Sequence, residues 1–144
     1  MKYIIPFVLL FSLSCKANFT MDTYVDEFIN IDAKGYYLKI LTPESEQQSK
    51  DYFFGKIVVS PGCSFVRGSE ERVINCYLLD ADNYEEWKSG KDPSTSIFKK
   101  IEKSDMTIPI TELNWDENKK YYFIISNRFS EMNKSVHLYL IRIY

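Results

Sequence analysis

Tyr121-Tyr122-Phe123-Ile124-Ile125-Ser126 and Val136-His137-Leu138-Tyr139-Leu140-Ile141-Arg142-Ile143-Tyr144 decide the fold class. Both runs are rich in aromatic and β-branched side chains, which suit a half-buried pleat, and the polar stretch 127–135 between them reads as the loop of a hairpin. In the second run Val136, Leu138 and Leu140 fall on one side of a strand, and His137, Tyr139, Ile141 and Ile143 on the other. Apolar side chains on both faces predict a strand inside a sheet with a neighbour on each side.

The rest of the chain supplies those neighbours. Residues 27–31, 36–41, 53–60, 72–80 and 97–101 carry β patterning, and Pro109 predicts an edge or a bulge near 107–110. Asp32-Ala33-Lys34-Gly35 reads as a turn, and 44–50 as a solvated loop without apolar content. In 72–80, Ile74, Cys76 and Leu78 alternate with Val73, Tyr77 and Leu79, which predicts a second central strand. Residues 81–89 form the one credible helix, closed by Gly90. Tyr84, Trp87 and Lys88 share a face of it, so Trp87 is expected to lie as a lid over one end of the structure. The expected fold is all-β: an antiparallel β-sandwich, jelly-roll or Ig-like, with one short helix near 81–89.

Composition agrees with one domain. The chain has 144 residues, 16% of them aromatic, and only 5 glycines, which disfavours disorder. Its formal net charge is -2, so it lacks the basic field that nucleic-acid binding requires.

The first residues have the parts of an export signal: Lys2, then an apolar run over 4–13, then small residues. Ser12-Leu13-Ser14-Cys15 resembles a bacterial lipobox, in which Cys15 would be lipidated and become the first mature residue. A cut after Ala17 is the competing reading and would release a soluble protein. The expected organisation is a signal peptide over 1–14, a tether over 15–24 and a β-sandwich domain over 25–144.

Either cut leaves Cys63 and Cys76 as the cysteine pair of the domain proper, and an oxidising compartment favours a disulfide between them. Such a bridge would contribute about 3 kcal/mol in the chain-entropy account. The competing reading makes Cys76 a small core side chain with a free thiol.

The order of pieces also carries a resemblance. Cys76-Tyr77-Leu78-Leu79-Asp80, then Asn83-Tyr84-Glu85-Glu86-Trp87-Lys88-Ser89-Gly90, then Tyr121 through Ser130, resembles exported bacterial and archaeal β-sandwich domains of unassigned function. These are similar in look to the Golgi-dynamics domain and to bacterial pre-peptidase C-terminal domains. The resemblance covers roughly 24–144 and implies a fold without implying an active site.

Catalytic motifs are absent from the sequence. His137 is the one histidine, it lies within a strand, and no nucleophile elbow accompanies it. Asp80 and Asp82 begin an EF-hand pattern, but Tyr84, Glu85 and Lys91 stand where that loop needs a ligand, a glycine and a glutamate. Helix capping by Asp80 or Asp82 is the simpler reading. No cofactor and no metal site is expected. Trp115 and Trp87 are the candidates for an aromatic ligand surface.

The sequence therefore points to a non-enzymatic binding or accessory domain. Its expected place is the bacterial cell envelope, lipid-anchored at the outer membrane or cell surface, or the secreted fraction. Its expected partners are a membrane, through the lipid on Cys15, and an unidentified protein or glycan. A small exported hydrolase and a lectin-like carbohydrate-binding module are the alternatives.

Overall fold

The computed structural model describes residues 20–42, 50–60, 72–115 and 119–143. Among them are eight strands and one helix in the order β1 (Met21–Ile31), β2 (Tyr36–Leu41), β3 (Lys50–Ser60), β4 (Ile74–Leu79), α1 (Ala81–Lys88), β5 (Phe98–Lys103), β6 (Asp105–Asn114), β7 (Tyr121–Ser126) and β8 (Lys134–Ile143). They form two four-stranded sheets, β1-β8-β3-β6 and β2-β7-β4-β5. Every observed pairing is antiparallel.

First pairs with last, second with seventh, third with sixth and fourth with fifth. The chain thus runs as one long two-stranded ribbon rolled into two layers, which is the jelly-roll arrangement. It resolves the choice between jelly-roll and Ig-like in favour of the first.

The final two strands do not form a hairpin. β7 lies in one sheet and β8 in the other, so residues 127–133 cross the edge of the sandwich. They do so beside the β1–β2 turn, which crosses in the opposite direction. Gly35 N–H donates to the Asp32 carbonyl (2.9 Å), Asn127 N–H to the Gly35 carbonyl (2.9 Å), and Lys34 N–H to the Ser130 carbonyl (3.0 Å). The buried Asn127 amide donates to the carbonyls of Asp32 (3.0 Å) and Met132 (2.6 Å), clamping the two connections together. Backbone groups that leave a ladder at a buried edge need such partners.

β8 is central, as its two apolar faces predict. Lys134, Val136, Leu138, Leu140 and Arg142 point inward and are buried, while the alternate residues are half-exposed on the outer face. β4 is central too, and its pattern is buried on nearly every residue. β6 is an edge strand, and its register with β3 shifts between Phe53 and Gly55, opposite Pro109 and Ile110. Pro109 thus sits where a missing N–H costs no ladder bond. Gly55 is required at this bulge, because a Cβ there would lie 2.2 Å from the Tyr139 carbonyl oxygen. A second bulge lies in β1 between Thr23 and Val25, and the strand begins at Met21, inside the stretch expected to be tether.

Between the sheets lies one apolar core, including Ile57, Leu78, Leu113, Phe123, Val136 and Leu138. At one end it turns polar. Asp51 at the start of β3 and Arg142 at the end of β8 are fully buried and ion-paired. The Asp51 carboxylate accepts from Arg142 Nε (3.1 Å) and Trp115 Nε1 (2.5 Å), while Arg142 Nη2 donates to the Thr42 carbonyl (3.1 Å). The guanidinium lies over the rings of Tyr24 and Phe53, which adds cation–aromatic attraction to its hydrogen bonds.

Candidate functional site

Helix α1 does not close an end of the sandwich. It packs on the outer face of the β2-β7-β4-β5 sheet, where Tyr84 and Trp87 join Tyr77, Leu79 and Ile124 in a second apolar cluster flanked by Leu38 and Tyr122. The sequence reason is that β4 and β7 carry apolar side chains on both faces, and a sheet buried on both faces must be covered on both. Tyr84 stacks on Tyr122 with ring centroids 4.1 Å apart, and Trp87 meets Tyr36 edge-on at 5.0 Å.

Polar contacts at both ends fix the helix. Asp80 caps it by accepting from Asn83 N–H (3.0 Å), the capping role expected from the sequence. The buried Asn83 amide then ties the helix to the following segment, donating to Thr95 Oγ1 (2.9 Å) and accepting from Thr95 N–H (3.0 Å). At the other end Gly90 takes a positive φ of 89°, and its N–H donates to the Trp87 carbonyl (3.0 Å).

That carbonyl also accepts from Arg128 Nη1 at 2.9 Å. The Arg128 guanidinium lies over the Trp87 ring, its central carbon 3.7 Å from the centroid and 5.1 Å from that of Tyr36. A cation at the carbonyl end of a helix is favoured by the helix dipole as well as by the ring. Arg128 is held by the β7–β8 connection and Trp87 by the helix, so the contact exists only once the sheet and its cover are assembled.

Beside this stack opens a cleft of about 360 Å³ lined by Trp87, Arg128, Asn75, Tyr77, Ser126 and Lys91, among others. Asp92 also lines it, but both its oxygens accept from Lys99 Nζ at 2.7 Å. Lys91 and Arg128 are left as the lining charges that can act on a ligand, and both are positive. Burial raises the Tyr77 hydroxyl above its ordinary pKa, and nearby Lys99 opposes that rise, so the group stays a neutral donor at physiological pH. The cleft therefore offers a planar guanidinium, an ammonium, an amide and two hydroxyls.

The residues singled out in the sequence fall elsewhere or differently. Trp115 is 8% exposed, meets Tyr121 edge-on at 5.0 Å and gives its indole N–H to Asp51, so it is a core residue and presents no ligand surface. Trp87 is only 4% exposed, and Arg128 covers its ring, so it supports a site without being an open platform. His137 lies on the outer face of the opposite sheet, stacked on Phe28 at 4.3 Å and paired with Asp26 at 2.6 Å. It shares no site with the cleft.

Cys76 is a free thiol with no exposure, set among core side chains on the inner face of β4. Burial pushes its pKa well up, which leaves it protonated and inert, in place of the disulfide expected for Cys63 and Cys76. Cys63 and the lipidation candidate Cys15 lie outside the described residues, as do the loop 44–49 and the segment 63–71.

Arg128 carried no signal in the sequence, because a lone arginine in a turn looks like any solvated cation. The clue available was the crowding of Tyr36, Tyr77, Tyr84, Trp87 and Tyr122 onto the faces that point away from the core.

No protein-family model matches the chain, and no curated protein matches it at a significant level.

Proposed function

We propose that the chain is a non-enzymatic binding domain of the bacterial envelope, exported by its N-terminal signal and anchored by lipid on Cys15, that takes a carboxylate-bearing ligand in the cleft beside Trp87 and Arg128. One observation carries the ligand reading: Arg128 is held rigid against Trp87 and Tyr36 while, of its side-chain donors, only Nη1 has a described acceptor. A planar fork with spare N–H groups matches a carboxylate bidentately, and a guanidinium already immobilised by stacking loses little freedom on binding. Lys91 adds a second positive charge, and Asn75 and Ser126 can hold neighbouring hydroxyl or amide groups.

Titration with succinate and with galacturonate, read by tryptophan emission, tests this. Trp87 and Trp115 are the two tryptophans, and only Trp87 touches the cleft. Saturable emission change is expected, with binding weakened about tenfold or more in Arg128→Ala, as loss of a charge-assisted pair implies. An unchanged response in that variant, or no response to either acid, would remove the cleft from consideration.

A further inference from the structure

The two sheets are treated unequally on their outer faces. Helix α1 covers one, and no described element covers the other, β1-β8-β3-β6. The register of its strands orders the uncovered face into rows. The first row is Met21, Ile143, Tyr52 and Glu112, and the second is Thr23, Ile141 and Phe54, flanked by the Pro109–Ile110 bulge. The third is Asp26, Tyr139, Lys56 and Thr107.

Two properties divide this face into halves. The first two rows hold six large apolar side chains, Met21, Ile143, Tyr52, Ile141, Phe54 and Ile110, with Met21 59% and Ile110 70% exposed and the others half-exposed. One charge, Glu112, sits at their margin and has a partner of its own. From the third row on, Asp26, Lys56 and Asp105 interrupt the face, and its one strongly exposed apolar side chain there, Phe28 at 77%, is stacked on His137 at the β1 edge. The apolar half is also the half at which the chain enters β1. Cys15 stands only six residues before Met21, which limits the separation of their Cα atoms to about 21 Å.

We propose that this apolar half-face rests on the lipid surface in which Cys15 is anchored, so that the domain lies against the membrane with the Trp87–Arg128 cleft turned away from it. The inference rests on the lipidation of Cys15 proposed above. A contiguous apolar patch of this kind marks an interaction site, and interfacial binding grows with the apolar area it buries. The short link selects the lipid as occupant, because it holds the patch within reach of the bilayer at all times and so adds proximity to a modest intrinsic affinity. Lys56, at the border of the patch, falls where headgroup phosphates would lie.

The test uses the full, anchored protein in phosphatidylethanolamine and phosphatidylglycerol vesicles, in a Cys63→Ser background that leaves the buried Cys76 thiol inert. An environment-sensitive dye is attached through Ile110→Cys in the apolar half or Asp105→Cys in the polar half, both at exposed positions that do not support the core. Intact mass is measured on the same samples. A mass bearing acyl chains, with emission at position 110 quenched at least twofold by lipids brominated in their chains and position 105 unaffected, is the expected result. Acylated protein with no quenching at 110, or equal quenching at both positions, overturns the orientation and leaves the anchor standing. Unacylated protein overturns the anchor, and the orientation with it.

Discussion

Replacing Asp51 with alanine isolates the one fully buried ion pair described in this core. The substitution takes the Asp51 carboxylate from an Arg142 guanidinium that is 1% exposed and also strips the acceptor from Trp115 Nε1. Breaking a buried pair by removing one partner costs about 3 to 5 kcal/mol, and an orphaned indole N–H adds roughly 1 more. Against a total stability of about 5 to 15 kcal/mol for a domain of this size, a loss near 4 is severe, with a fall in Tm of about 15 °C. The double variant Asp51→Leu with Arg142→Met removes both charges and keeps their volume. It should recover at least about 2 kcal/mol relative to Asp51→Ala, because a buried pair replaced by apolar side chains is often neutral. Urea unfolding with a shared m-value measures each change as a shift in midpoint. Simple additivity between the single variants Asp51→Leu and Arg142→Met and their double would refute the reasoning, since it would mean the two charges do not depend on each other.

Two further outcomes follow from the same structure. Gly55→Ala should destabilise by about 3 kcal/mol, the upper range for an overpacked site, because its Cβ would collide with the backbone of the central strand β8; a thermal melt unchanged from the parent would contradict the close approach described. Burial raises the folded-state pKa of Cys76 above its ordinary value, and burial together with Glu27 takes Tyr37 from 10.0 to about 12. Both groups are neutral when protonated, so the native state holds protons that the unfolded chain has lost, and stability should decline as pH rises above about 9. Urea midpoints between pH 8 and 11 measure that decline. A Cys76→Ala variant should show a shallower slope, and thiol titration of the unreduced parent should find Cys76 only after unfolding. A flat profile, or no Cys76 thiol in the unfolded chain, would count against the buried free cysteine.

Much of the fold was legible because it rests on alternation. The two-faced apolar patterns of 74–79 and 136–143 identified central strands, Pro109 marked an edge with a bulge, and Gly90 closed the helix. The hairpin reading of 121–144 failed for a physical reason. A polar connection looks the same whether it returns within one sheet or crosses to the next, and here the choice was made by the distant Asp32–Gly35 turn beside which residues 127–133 pack. Trp115 misled in the same way, since the acceptor that holds its indole inside belongs to Asp51, 64 residues away. The cleft was illegible because its central contact joins a turn arginine to a helix tryptophan 41 residues apart.

The pairing of first strand with last sets the order in which the molecule can be made. β8 is the neighbour of both β1 and β3, and it follows the other seven described strands, so during synthesis the sheet β1-β8-β3-β6 lacks its middle until all seven have been made. A nascent chain long enough to hold seven strands still cannot close its core, and such non-local pairing forms slowly even when all of it is present. Under the export proposed above, in which the chain would pass a translocation channel as an extended thread, this delay would be useful. The topology that makes the finished sandwich cooperative also keeps the unfinished one open, so folding waits for the whole domain to be present.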